Sequence, residues 1–106
     1  IMEANQFAWH STLHTMTDHS GLGKGYGGGS NFNGPRDWTS AQYSPGGSCI
    51  DTGKTFHTAV SFPTDGAGNL VAMEITLTQD GSQCPLSVRV DGYAGMAELS
   101  AALKAG

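Results

Sequence analysis

Apolar and polar residues alternate most cleanly in the middle of the chain. In KTFHTAVSF, Phe56, Thr58, Val60 and Phe62 fall on one face of an extended strand. His57, Ala59 and Ser61 fall on the other. LVAMEITLTQ repeats the pattern, with Val71, Met73, Ile75 and Leu77 opposite Ala72, Glu74, Thr76 and Thr78. Between them lies PTDGAGN (Pro63 to Asn69), a cluster of turn formers that predicts a hairpin about Asp65–Gly66. A second turn, DGSQ (Asp80 to Gln83), leads into PLSVRV, where Leu86, Val88 and Val90 share a face. Three such strands predict an antiparallel sheet with one buried and one wetter face.

The period changes after Asp91. In YAGMAELSAALKAG, Met96, Leu99 and Leu103 are three and four apart, the spacing of one helical face. Lys104 suits the negative end of a helix dipole, and Gly106 suits a C-terminal cap. At the other end, MEANQFAWHSTLHTMT reads as extended chain. GLGKGYGGGSNFNGP (Gly21 to Pro35) reads as a long loop, in which no regular element is expected. Loops of that length inside a compact domain are usually functional, and Tyr26, Phe32 and Trp38 in or beside it argue against a bare spacer. The pattern predicts an all-β chain with one short C-terminal helix.

At 106 residues the chain makes one small domain, residues 1–106. Charged residues are only 13%, and a net charge of −4 lacks the basic face that nucleic acid requires. No apolar run approaches the roughly 20 residues needed to span a bilayer. The chain does not begin with Met, which suggests a processed or truncated product. Cys49 and Cys84 pair in a secreted protein and are two separate buried thiols in a cytosolic one. Few Lys and many Gly, Ser and Thr favour the extracellular setting.

Several familiar chemistries find no support. Lys24 is followed by Gly25 rather than Ser or Thr, so GLGKGYGGG is not a Walker loop. No βαβ context makes it a dinucleotide site, and no cofactor is implied. His10, His14 and His19 have spacing suited to metal ligands on a helix, but the segment is a poor helix. On a strand His10 and His14 share a face and His19 does not, so the reading is polar groove or surface histidines, without a metal. No serine sits in a G-x-S-x-G elbow. Trp9, Tyr26, Trp38 and Tyr43 remain, clustered in the first half of the chain. Singly each suits a core. Together, beside a His-bearing polar strand, they suit a carbohydrate cleft, where apolar C–H faces of sugars lie on aromatic rings.

One stretch stands out against this background. IMEAN, at the very start, places Glu3 between apolar residues. It resembles the tail of the catalytic signature of glycoside hydrolase family 7, the fungal-type cellulases: Glu, any residue, Asp, two residues, then Glu-Ala-Asn. Further segments resemble the family in the same order. His14 sits at the spacing of a downstream histidine. NFNGPRDW resembles a Trp-Asn-Pro-Tyr-Arg segment and puts Arg36 on its substrate-facing arginine. QYSPGGSCIDTGKTFHTAVSF resembles its Phe-Tyr-Gly-Pro-Gly, Asp-Thr and Lys-x-Phe strand block, and GYAGMAELSAALKAG its short helix. Family 16 laminarinases carry a similar signature and compete closely for IMEAN alone; the later segments favour family 7, which would make family 16 the more distant relative.

The resemblance implies an antiparallel β-sandwich of the jelly-roll, concanavalin-like type, of which this chain is the central part. It implies a retaining attack on β-1,4-glucan, with two carboxyl groups about 5 to 5.5 Å apart. Glu3 would be the general acid/base, and His14 and Arg36 would bind hydroxyls or tune charge. The family's nucleophile and assisting aspartate would precede Ile1. Carboxylates spaced two and then three apart reach one cleft only if the strand carries a bulge. Two functions follow as expectations. One is part of a secreted cellulase-like enzyme; the other is a non-catalytic carbohydrate-binding or structural subunit, completed by another chain at its open sheet edges.

Overall fold

The structure is a computed structural model that describes residues 2–18, 24–25 and 36–106. It is mostly β, with one short C-terminal helix. The expectations for His19, Tyr26, Phe32 and most of the glycine-rich loop lie outside the described residues.

The predicted three-stranded sheet is present. Strands β6 (His57–Ser61), β7 (Ala72–Thr78) and β8 (Leu86–Asp91) are antiparallel in that order. The β6–β7 register pairs Ala59 with Thr76, and the β7–β8 register pairs Ile75 with Val88. Met73, Ile75 and Leu77 are therefore aligned on one face, and all three are buried. Across the other face run polar groups: Glu74 meets Arg89, which also bonds Asp91 at 3.1 Å, and the hydroxyls of Thr76 and Ser87 are 3.2 Å apart. The hairpin turn is closed by Asp65, whose carboxylate accepts from the backbone N–H groups of Ala67 and Asn69, both at 2.9 Å. These bonds, that of Asn69 foremost, hold the carboxyl below its usual range. Gly68 takes the left-handed conformation at φ +78° that the turn demands.

A second sheet covers the N-terminal segment. Strand β1 (Met2–Ala4) pairs with β2 (Trp9–Leu13), Glu3 lying opposite His10. A two-residue strand, β3 (Lys24–Gly25), pairs with Thr12–Leu13, so the glycine-rich stretch does contain a short regular element. The remaining pair, β4 (Tyr43–Ser44) and β5 (Ile50–Asp51), is parallel, an exception to the antiparallel expectation. Parallel strands normally need a crossover of a dozen or more residues. Here five suffice because the loop folds back on its own backbone. Gly47 N–H bonds Ser44 O at 2.8 Å and Ile50 N–H bonds Gln42 O at 3.0 Å. A Cβ on Gly47 would lie 2.4 Å from Ile50 O, so only glycine fits there.

One core joins these parts. The buried face of β7 and β8 packs with Trp9 and Leu13 of β2, with Trp38 and Tyr43, and with Cys49 and Ile50. Cys49 and Cys84 form a disulfide with their Cα atoms 5.0 Å apart, tying β5 to the approach to β8. Helix α1 (Met96–Ala105) lies at the end of the hairpin. Its contact differs from the predicted stripe. Met96 and Leu99 pack against the core, but Leu103 is 53% exposed, and the buried helical residue is Ser100, whose Oγ accepts from Leu70 N–H at 3.0 Å. A hydroxyl serving a backbone group replaces the last apolar contact. The helix is too short and too polar to cross a membrane, and no described helix does.

Candidate functional site

The β1–β2 hairpin turns through NQFA. Asn5 closes the turn on itself: its side-chain oxygen accepts from Phe7 N–H at 2.8 Å and from Ala8 N–H at 3.0 Å. The next carbonyls are taken by side chains from elsewhere in the fold. Tyr43 donates its hydroxyl to Asn5 O at 2.9 Å, Thr52 to Gln6 O at 2.7 Å, and Arg36 reaches Phe7 O at 3.4 Å. Three successive backbone acceptors are thus clamped, which sets the turn against the core.

On the outer side of this hairpin an open cleft of about 260 Å³ is lined by Glu3, Ala4, Asn5, Ala8 and His10. Directly paired residues project to the same face of a sheet, so Glu3 and His10 meet the same space. Trp9, Ser11 and Leu13 point the other way and are buried. The site therefore offers one exposed carboxylate, one half-buried imidazole and an amide: groups that exchange protons and hydrogen bonds with hydroxyls.

Asp37 supports β2 from its side. Its N–H donates to Trp9 O at 3.0 Å, and its Oδ1 accepts from Ser11 N–H at 3.1 Å. A single residue thereby satisfies two backbone groups that a further strand would otherwise bond. Its second oxygen, Oδ2, is buried without a hydrogen-bond partner. Burial pushes the Asp37 carboxyl above its usual range, partly offset by Ser11 and by the nearby charge of His10. Nothing in the sequence singled out this residue; a lone Asp before a Trp carries no periodic signal.

The other predicted residues are placed as follows. His14 follows the end of β2, half-buried, and its Nδ1 lies 2.9 Å from Thr15 O. It does not line the Glu3 cleft. Arg36 is exposed and is engaged with the turn. The rings of Trp9, Trp38 and Tyr43 are buried against one another, with centroids 6.0 to 6.2 Å apart. Their faces are used inside the fold, and Tyr43 reaches the site only through its hydroxyl. Trp9 Nε1 donates to Ser11 Oγ at 3.0 Å, and Trp38 Nε1 reaches Ser87 O at 3.4 Å. Among the described residues no group of three acidic, His or Cys side chains could hold a metal ion.

Compared with known proteins, the chain matches no family model, no curated protein and no solved structure.

Proposed function

We propose that this chain is the acid/base-bearing part of a secreted, retaining glycoside hydrolase with a jelly-roll sandwich fold, acting on β-1,4-glucan. The observation that carries the reading is the exposed Glu3 beside His10 on the wall of an open cleft, within a signature-like IMEAN stretch. In the mechanism Glu3 protonates the leaving glycosidic oxygen and then takes a proton from water. His10 and Asn5 are placed to hold sugar hydroxyls next to it. The nucleophile belongs to sequence before Ile1. A bulge between that residue and Glu3 is required to bring both carboxyl groups onto the Glu3–His10 face. The Cys49–Cys84 bond is compatible with a secreted protein.

The test is Glu3→Gln in protein that includes the preceding strand. Hydrolysis of cello-oligosaccharides should fall by roughly 10²- to 10⁴-fold. Cleavage of an aryl glycoside with an activated leaving group should survive its first step, because that step needs no acid. Unchanged hydrolysis of the oligosaccharide would remove Glu3 from the mechanism.

The alternative, a non-catalytic carbohydrate-binding or structural subunit, is favoured by one feature. Strand β6 ends its sheet, and its outer edge is unpaired among the described residues. Binding of cello-oligosaccharide without turnover, in a stable complex with a second chain, would select that reading.

A further inference from the structure

We propose that Tyr93 is a positioning residue that fixes which nitrogen of His14 carries the proton. Thr15 O lies 2.9 Å from His14 Nδ1. A carbonyl only accepts, so Nδ1 must donate, and in the neutral ring Nε2 is the bare acceptor. Thr15 is itself held through its N–H, which donates to Tyr93 Oη at 3.1 Å. The Tyr93 hydroxyl gives its own proton to Asp18 Oδ2 at 2.8 Å, so it can only accept from Thr15. Thr15 Oγ1, 3.3 Å from the same oxygen, supplies a second donor. Thr15 is thus gripped at its N–H, and its carbonyl, which also accepts from Asp18 N–H at 3.3 Å, faces the imidazole.

The grip is built into the packing. Thr15 and Tyr93 are both buried. Gly95, at the start of α1, lies so close that a Cβ there would be 2.5 Å from Tyr93 Cε1 and 2.9 Å from Thr15 Cγ2. Thr17 bonds Glu98 of α1, a second tie between the same two segments. Residues nearly eighty apart in sequence therefore orient a side chain that follows β2. The fixed tautomer presents Nε2 as a hydrogen-bond acceptor for a ligand hydroxyl. That use, though not the tautomer itself, rests on the glycosidase reading.

The test is nitrogen-15 NMR of the His14 ring at about pH 8.5, where imidazoles are neutral. The wild-type ring should be protonated at Nδ1. Tyr93→Phe, which keeps the ring and removes only the hydroxyl, should shift the population toward Nε2–H. Gly95→Ala, which keeps the hydroxyl but displaces the ring, should do the same and serves if Tyr93→Phe does not fold. A wild-type ring protonated at Nε2, or variants that leave the Nδ1–H form unchanged, would overturn the proposal. A wild type that hydrolyses nothing, yet shows the Nδ1–H ring and its loss in Tyr93→Phe, supports the positioning role and removes the glycosidase reading alone.

Discussion

Replacing Cys49 and Cys84 together by alanine opens a loop that contains β5, β6 and β7. The two residues are 35 apart in sequence. In the chain-entropy description, closing a loop of that length lowers the entropy of the unfolded chain by about 13 cal/mol/K. At 25 °C this amounts to a stabilisation of about 4 kcal/mol. Cys49 is buried in the core cluster, so losing its sulfur adds a packing loss of about 1 kcal/mol. Domains of this size are stable by only 5 to ~15 kcal/mol. The variant should therefore lose a large part of its stability, and its Tm should fall by roughly 15 °C or more. Urea unfolding followed by tryptophan fluorescence gives the measurement directly, since Trp9 and Trp38 are both buried in the same core. The denaturant slope should rise as well, because an uncrosslinked unfolded chain exposes more surface. A loss under about 1 kcal/mol, with an unchanged slope, would refute the reasoning: the bridge would then constrain nothing that the unfolded chain was free to do.

Two further outcomes are expected. Ile75→Ala empties a fully buried position on the central strand and should cost about 2 to 5 kcal/mol in urea unfolding, whereas Thr76→Ala, next to it on the polar face, should cost less than ~1 kcal/mol; equal costs would contradict the assignment of faces. For Asp37→Asn the sign follows from the raised carboxyl: the folded state holds its proton to higher pH than the unfolded state, so wild-type stability declines from about pH 3.8, the ordinary value of an aspartate, up to the raised folded value and is level above it. The asparagine variant keeps an oxygen for Ser11 N–H and lacks this decline, so its advantage should be absent in acid and grow toward neutral pH; an advantage that does not change with pH would contradict it.

The sheet formed by β6, β7 and β8 was legible because alternation has a physical cause that survives in one dimension: one face is dry. Met73, Ile75 and Leu77 announce it, and Asp65–Gly66 announces the turn. The aromatics were ambiguous for an equally physical reason. A ring in a core and a ring under a sugar both need an apolar face, and only three-dimensional packing shows that Trp9, Trp38 and Tyr43 cover one another. The Glu3–His10 pairing needed the exact length of the Asn5–Ala8 turn; Asn5 is a recognised turn former and was the signal available for it. Asp37 and Ser100 act on backbone groups of segments distant in sequence, and such service leaves no trace in periodicity. Leu103 kept the helical spacing without a surface to meet.

The loop between β4 and β5 has a consequence for descent. Gly47 sits where backbone atoms of Gln42, Ser44 and Ile50 leave no room for a side chain, and Cys49 two residues later is committed to its bridge. Change at either position weakens the fold, whatever the cleft does. If Glu3 is the acid/base proposed above, a lineage that gave up that chemistry could lose it and still carry glycine and cysteine at this spacing, so the loop would mark kinship independently of the cleft.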